Sequence, residues 1–157
     1  MIDPDTFRSV LGRFASGVTI ATARDEHGTD HGMTVSAFSS LSLNPPLTLM
    51  CIDHAASMHG LLLTHPPVGI SILSSLQEAY SRRFADTDAK DFAGIPLVRG
   101  ESGVALVEGA LAHLECRLID HVEGGDHTIF VAEVEHALAR KGRPLLYYRG
   151  GYAQLER

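Results

Sequence analysis

The chain has 157 residues, 45% of them hydrophobic and 20% charged, which predicts a single globular domain over residues 1–157 and excludes a disordered chain. Thirteen Lys and Arg against nineteen Asp and Glu give a net charge of −6, which argues against nucleic acid or an anionic membrane as a partner. The sequence has no apolar run of the ~20 residues that span a bilayer and no signal peptide at its start, so we expect a cytoplasmic protein.

The first predicted element is an amphipathic helix. Asp3 is a typical N-cap, Pro4 suits the first helical position, and apolar residues follow at intervals of three or four up to Phe14. Gly17 is expected to end this helix. Two more short helices are predicted, at 57–63 with Ser57 as its cap and at 77–84 with Ser74 or Ser75 as its cap.

Short strands dominate the rest of the chain. Apolar and β-branched runs bounded by Gly, Pro, Asn or Asp predict seven or eight strands, at 18–23, 31–36, 47–52, 68–73, 110–118, 128–138, 145–148 and 152–155. Segment 47–52 is apolar on both faces, which is typical of a strand covered by the core on one side and by a helix or partner subunit on the other. This density of strands, without alternating βαβ units, favours a mainly β barrel or Greek-key sheet over a Rossmann fold.

Two segments between the first and last strands carry specific expectations. In 110–118 the apolar residues occupy the even positions, so we expect one buried face, with His113, Glu115 and Arg117 on the other. The stretch 86–103 shows no sustained period and is predicted to be a long surface loop, a candidate lid.

The sequence lacks the motifs of several common metal, hydrolase and nucleotide-binding sites. The nine histidines have no paired ligand spacing, so no metal site is predicted, and no Gly-x-Ser-x-Gly elbow supports a hydrolase. Neither Gly-x-Gly-x-x-Gly nor a P-loop is present, so any nucleotide must be held in another way. Cys51 and Cys116 each lie in an apolar run and are interpreted as buried free thiols.

Two segments are candidates for ligand binding. In 32–40 a strand pattern runs into small and hydroxyl residues around Phe38, a pattern suited to a phosphate and an aromatic ring, although taken alone a strand end with ordinary Ser/Thr turn bonding explains it more simply. In 81–84 two arginines can clamp an anion or can form a solvated helix face.

Six motifs in order resemble one family. They are FASGVTI (14–20), HGMTVSAF (31–38), LNPPL (43–47), SRRF (81–84), GDHT (125–128) and LLYYRGGY (145–152). Together they resemble the flavin reductase domain family, the small NAD(P)H:flavin oxidoreductases that supply reduced flavin to two-component monooxygenases. The resemblance implies an FMN-binding split β-barrel with two or three short flanking helices, a homodimer, FMN or FAD as flavin, and NADH or NADPH as donor.

The resemblance also implies the site residues. By position, the flavin contacts fall on Thr34, Ser36, Ala37, Phe38, Ser39, Ser40, Cys51, Ile52, Asp53, Ser57, Ser81, Arg82 and Phe84. Nicotinamide binding falls on His127, Arg149, Gly150 and Tyr152, with His127 positioning the nicotinamide. Without the resemblance, His127 is more simply a surface histidine at a hairpin end. The alternative function is a flavin- or haem-binding split-barrel module without reductase activity.

Overall fold

The computed structural model describes residues 1–85 and 91–156. In these ranges the α-helices are α1 (Pro4–Leu11), α2 (His59–Leu62) and α3 (Glu78–Ala85). None of the helices in the described ranges is long and apolar enough to cross a membrane.

Side-chain caps fix the starts of α1 and α3. The Asp3 carboxylate accepts the Thr6 N–H at 2.9 Å, as the sequence predicts. Ser74 and Gln77 form a reciprocal capping box at a 3₁₀ turn (Ser75–Gln77) that runs directly into α3.

The predicted boundaries of two helices were wrong. Helix α1 ends at Leu11 and not near Gly17, because residues 16–17 extend to pair with a strand near the C-terminus. Helix α2 begins at His59, so Ser57 lies in the preceding turn and caps nothing.

The described residues form twelve strands. These are β1 (Ser16–Gly17), β2 (Thr19–Arg24), β3 (Asp30–Val35), β4 (Phe38–Ser42), β5 (Leu47–Asp53), β6 (Pro67–Ile72), β7 (Leu97–Arg99), β8 (Ala105–Val107), β9 (Ala112–Gly124), β10 (His127–Ala139), β11 (Leu145–Tyr148) and β12 (Gly151–Gln154). The number exceeds the predicted seven or eight because β1, β4, β7 and β8 are short or carry polar residues that give no strand signal.

The largest sheet closes into a barrel. Its seven strands follow the order β3-β2-β6-β9-β10-β5-β4, with every neighbouring pair antiparallel. Strands β3 and β4 are its two edges, yet only Ser36 and Ala37 separate them in the chain. Two residues can join opposite edges only if the sheet curls upon itself. The predicted mainly β split barrel is therefore confirmed.

Strand β2 separates two apolar clusters. Ala21 and Ala23 face the barrel interior, which is filled by residues such as Phe130. Val18 and Ile20 belong to the other cluster, in which helix α3 packs through Phe84 and strand β11 packs through Leu145. This second cluster fixes α3 and the β11–β12 hairpin against the outside of the barrel.

The prediction of one buried face in β9 was wrong. His113 and Glu115 are 3% and 7% exposed, because the β7–β8 hairpin covers the face that the sequence pattern leaves to solvent. The His113 Nε2–H donates to the Val107 carbonyl at 2.6 Å, and the Ser102 N–H and hydroxyl donate to the Glu115 carboxylate at 2.8 and 2.7 Å.

This hairpin also corrects the predicted loop at 86–103. Its last part is strand β7 and a turn, while residues 86–90 lie outside the described residues.

Candidate active site

A cleft of about 310 Å³ lies where three elements meet outside the barrel. Strand β3 supplies Met33 and Thr34, and helix α3 supplies Ser81, Phe84 and Ala85. The β11–β12 hairpin adds Tyr147 and Tyr152, the β3–β4 connection adds Ser36, and Val18, between β1 and β2, completes the lining. The volume is at the lower end of the ~300–1,000 Å³ typical of small-molecule sites.

Two hydrogen bonds tie the three walls of this cleft together. The Thr34 hydroxyl on β3 donates to the Ser81 carbonyl on α3 at 2.7 Å. The Ser81 hydroxyl, which is fully buried, bonds the Tyr152 hydroxyl on β12 at 2.6 Å. The rings of Tyr152 and Tyr147 meet edge to face, with centroids 5.6 Å apart. The cleft is therefore pre-formed in the single chain, with a polar seam and aromatic walls.

Arg82 lies at the rim of the cleft. Its guanidinium is 4.8 Å from the centre of the Tyr152 ring, and its Nε–H donates to Glu78 one helical turn earlier at 3.0 Å. The pair is exposed, so the guanidinium can exchange Glu78 for another anion at little cost.

A second, smaller cleft of about 140 Å³ continues from the first. The two share Val18 and Ser36, and the second adds Phe38 from strand β4. Ser39 and Ser40 follow on the exposed side of β4, where the Ser39 hydroxyl donates to the Ser40 carbonyl. The hydroxyl-rich segment identified in the sequence therefore runs along the outside of the barrel from one cleft into the other.

The next predicted flavin segment is only partly accessible. Cys51 is half-buried and is joined to the β3–β4 connection by its N–H, which donates to the Ala37 carbonyl at 2.9 Å. Ile52 is fully buried in the barrel core, so its side chain is not available to a ligand. Asp53 and Ser57 are exposed, and the Asp53 carboxylate accepts the Ala55 N–H.

His127 lies outside the cleft. It starts strand β10 opposite Asp53, and its Nδ1–H donates to the Asp126 carboxylate at 2.7 Å. This hydrogen bond holds the pKa of Asp126 below its usual value. Because an ionised carboxylate only accepts, Nδ1 carries the proton in this bond, and Nε2 has no hydrogen-bond partner in the part of the chain that the structure describes.

The structure does not bring the predicted nicotinamide-binding residues together in one cleft. Arg149 and Gly150 form the turn of the β11–β12 hairpin, and Tyr152 lines the first cleft. Sequence reasoning missed Val18, Met33, Ala85 and Tyr147 as lining residues. Tyr147 could have been predicted from the sequence, because it lies opposite Tyr152 in a hairpin with a two-residue turn. Among the described residues, no group of three or more His, Cys, Asp or Glu is placed to hold a metal ion.

Comparison with known proteins identifies the architecture. Residues 11–156 match the family described as flavin reductase like domain. The chain belongs to this family. It is 42% identical over 151 residues to the reductase component of the 4-nitrophenol 4-monooxygenase/4-nitrocatechol 2-monooxygenase of Rhodococcus opacus, covering 96% of this chain and 80% of that protein. It is also 42% identical over 157 residues to an NADH-dependent flavin reductase of a Rhodococcus species, covering 99% and 88%.

A solved structure has the same fold as this flavin reductase over nearly the whole length of both chains. The NADH:FAD oxidoreductase SgcE6 of Streptomyces globisporus C-1027, in complex with NAD and FAD fragments, is 39% identical, with a TM-score of 0.92 and coverage of 99% of this chain and 96% of that chain. The family and the flavin reductase activity predicted from the six motifs are confirmed. The individual site residues stay predictions.

Proposed function

We propose that this flavin reductase passes a hydride from NADH to FMN or FAD held in the cleft between β3, α3 and the β11–β12 hairpin. The observation that carries this assignment is the cleft itself, which is pre-formed, lined by Phe84, Tyr147 and Tyr152, and tied by the Ser81 hydroxyl. Two similar proteins are named as an NADH-dependent flavin reductase and an NADH-dependent FAD reductase, which favours NADH over NADPH as the donor.

The residues of the two clefts fit a flavin. Aromatic and apolar walls suit a flat ring system, and Ser36 lines both clefts. Ser39 and Ser40 are exposed on the strand that follows, and their hydroxyls would hold the phosphate of a bound flavin. Arg82 at the rim provides a positive charge for that phosphate. FMN should therefore bind more tightly than riboflavin, by about tenfold or more, because one charge-assisted hydrogen bond contributes about 1.5–3 kcal/mol.

When bound, the nicotinamide supplies C4 as hydride donor and the flavin supplies N5 as acceptor. The protein's part is to hold the two rings in contact, which needs no general acid or base from the chain. We assign the binding of the nicotinamide half to His127, whose ring is fixed by Asp126 and whose Nε2 makes no hydrogen bond within the described residues.

We propose that the protein works as a homodimer. Helix α1 has no buried residue, and the apolar side chains Phe7, Val10 and Leu11 on the helix and Phe14 just after it are between 51 and 83% exposed. Such a continuous apolar helix face is typical of an interface between subunits. A sedimentation mass of twice 16.9 kDa is expected at micromolar concentration, and a mass of 16.9 kDa would refute the dimer.

The product of this reaction is reduced flavin, which a second protein must consume. The relative from Rhodococcus opacus is named as the reductase component of a monooxygenase. We therefore propose a flavin-dependent monooxygenase as the partner of this chain, in the cytoplasm.

The decisive experiment mixes purified protein with NADH and free FMN or FAD and follows the loss of NADH absorbance. Rapid NADH oxidation is expected with flavin and none without it. Flavin or haem binding without NADH oxidation would instead establish the non-catalytic module. An Ala85→Trp variant, which fills the cleft from an exposed position, should abolish flavin binding, while Ala85→Ser should not.

A further inference from the structure

The turn of the β11–β12 hairpin contains an arginine in a strained backbone conformation. Tyr148 pairs with Gly151, so Arg149 and Gly150 alone form the loop, with φ angles of +52° and +76°. Two consecutive left-handed residues define a type I′ turn, for which Asn-Gly or Gly-Gly is the usual sequence. An arginine at the first position is disfavoured by its Cβ. The chain therefore accepts backbone strain at a position where it also places a guanidinium.

This turn is fixed against the end of helix α1. The Arg149 N–H donates to the Gly12 carbonyl at 2.9 Å. Between the turn and the helix lies a separate cleft of about 310 Å³, lined by Arg8, Ser9, Arg13, Arg149 and Gly150. Three arginines thus line this one cleft, two from α1 and the residues just after it and one from the distant turn, and we call it the arginine cleft.

The cleft carries excess positive charge in a protein whose net charge is −6. Arg8 is paired with Asp5 at 3.0 Å, but no carboxylate of residues 1–85 or 91–156 forms a salt bridge with Arg13 or Arg149. Arg8 and Arg13 near the C-terminus of α1 are explained in part by the helix dipole. Arg149 belongs to another element, so the dipole does not explain its placement.

The arginine cleft adjoins the proposed flavin site. Tyr147 and Tyr152, which line that site, face each other across the hairpin directly before and after the Tyr148–Gly151 pair that closes the turn. Two residues along a strand cover about 7 Å. FMN carries a single phosphate, whereas a dinucleotide bound in the flavin cleft carries a second phosphate and an adenosine, for which this short distance would bring the arginines within reach.

We propose that Arg8, Arg13 and Arg149 bind the phosphate of the adenylate half of a dinucleotide. FAD and NADH both carry this group, and FMN does not. The inference rests on the proposed function in one respect, because that function makes a dinucleotide the ligand of the neighbouring cleft. Arginine is the residue type best suited to such phosphates, since its planar fork binds them through two hydrogen bonds.

The first test uses AMP, which carries the phosphate but no redox group, with adenosine as its neutral control. Titration calorimetry compares the wild type with Arg13→Ala and Arg149→Gly. Glycine at 149 removes the guanidinium and also suits the left-handed turn, so folding is preserved. Arg117→Ala, in the exposed pair with Glu133 on β9 and β10, removes the same charge elsewhere and serves as matched control.

We expect the two cleft variants to weaken AMP binding by about tenfold or more, the factor for one lost charge-assisted hydrogen bond, and adenosine and the control to change little. AMP binding that is absent in the wild type, or unchanged in both cleft variants, would overturn the proposal. Because this titration involves no NADH oxidation, it stands or fails separately from the reductase activity.

A second measurement identifies the source of the adenylate. If it is FAD, both cleft variants lower the affinity for FAD by about tenfold and leave that for FMN unchanged. If it is NADH, the KM for NADH with FMN as acceptor rises by a similar factor while both flavin affinities hold. Equal weakening of FMN and FAD would refute the assignment, since FMN has no adenylate.

Discussion

Thr34 gives the sharpest test of how the flavin cleft is built. The sequence makes its hydroxyl a candidate hydrogen-bond donor to the flavin phosphate. In the structure, however, that hydroxyl donates to the Ser81 carbonyl at 2.7 Å. A threonine has only one hydroxyl hydrogen to donate. We therefore expect Thr34 to hold strand β3 against helix α3 and not to bind phosphate.

Thr34→Val removes this bond while keeping the shape of the side chain. The Ser81 carbonyl lies inside α3, where by helical geometry it also accepts a backbone N–H, so no buried acceptor is left without a partner. The cost is then one neutral hydrogen bond, about 0.5–1.5 kcal/mol of unfolding free energy. For a protein of this length, about 1 kcal/mol lowers Tm by about 2–4 °C.

Thermal unfolding and fluorescence titration with FMN and riboflavin measure the two consequences. We expect the lower Tm together with a small and equal loss of affinity, about threefold or less, for both flavins, because the wall shifts but no phosphate contact is removed. Thr34→Ser, which keeps the hydroxyl, is the matched control and should retain most of both. A loss of about tenfold in the affinity for FMN, with the affinity for riboflavin unchanged, would refute this reasoning. It would show that the Thr34 hydroxyl donates a hydrogen bond to the flavin phosphate.

Three further predictions concern other residues. His127→Ala should lower kcat/KM for NADH by a few-fold to about tenfold, mainly through KM, and leave flavin affinity unchanged; a kcat loss above about a thousandfold would show proton transfer instead. Burial raises the pKa of Glu115, but hydrogen bonds from Ser102 and the Glu101 backbone, together with the nearby His136, outweigh it, so the pKa lies below its usual value of 4.5. Its stabilising effect is therefore present above that value and is lost as the pH falls through the lower folded pKa, and urea unfolding should show a weaker acid dependence for Glu115→Gln. Burial raises the pKa of the Cys116 thiol to about 11, so a thiol reagent near neutral pH should label it only after unfolding, and rapid labelling of the folded Cys51→Ser variant would contradict this.

Short-range sequence patterns determined those helices and strands that depend only on neighbouring residues. The Asp3 cap, the Ser74 cap and most strands lie within one or two residues of their predicted positions, because capping and alternation act over a few neighbours. The mainly β class followed from the spacing of strands and turns. The identity of the family depended on six motifs in order, since each alone is compatible with an ordinary strand end or helix face.

Only the tertiary structure decided what covers each element and what meets at the site. Alternation in β9 predicted exposed His113 and Glu115, but the β7–β8 hairpin buries them, and no local pattern encodes that contact. The meeting of Thr34, Ser81 and Tyr152 joins residues separated by 47 and 71 positions. The arginine cleft likewise joins α1 to the distant β11–β12 turn. Such groupings depend on how the sheet curls and which faces pack, and these are set by the burial of the whole chain and not by the residues near each position.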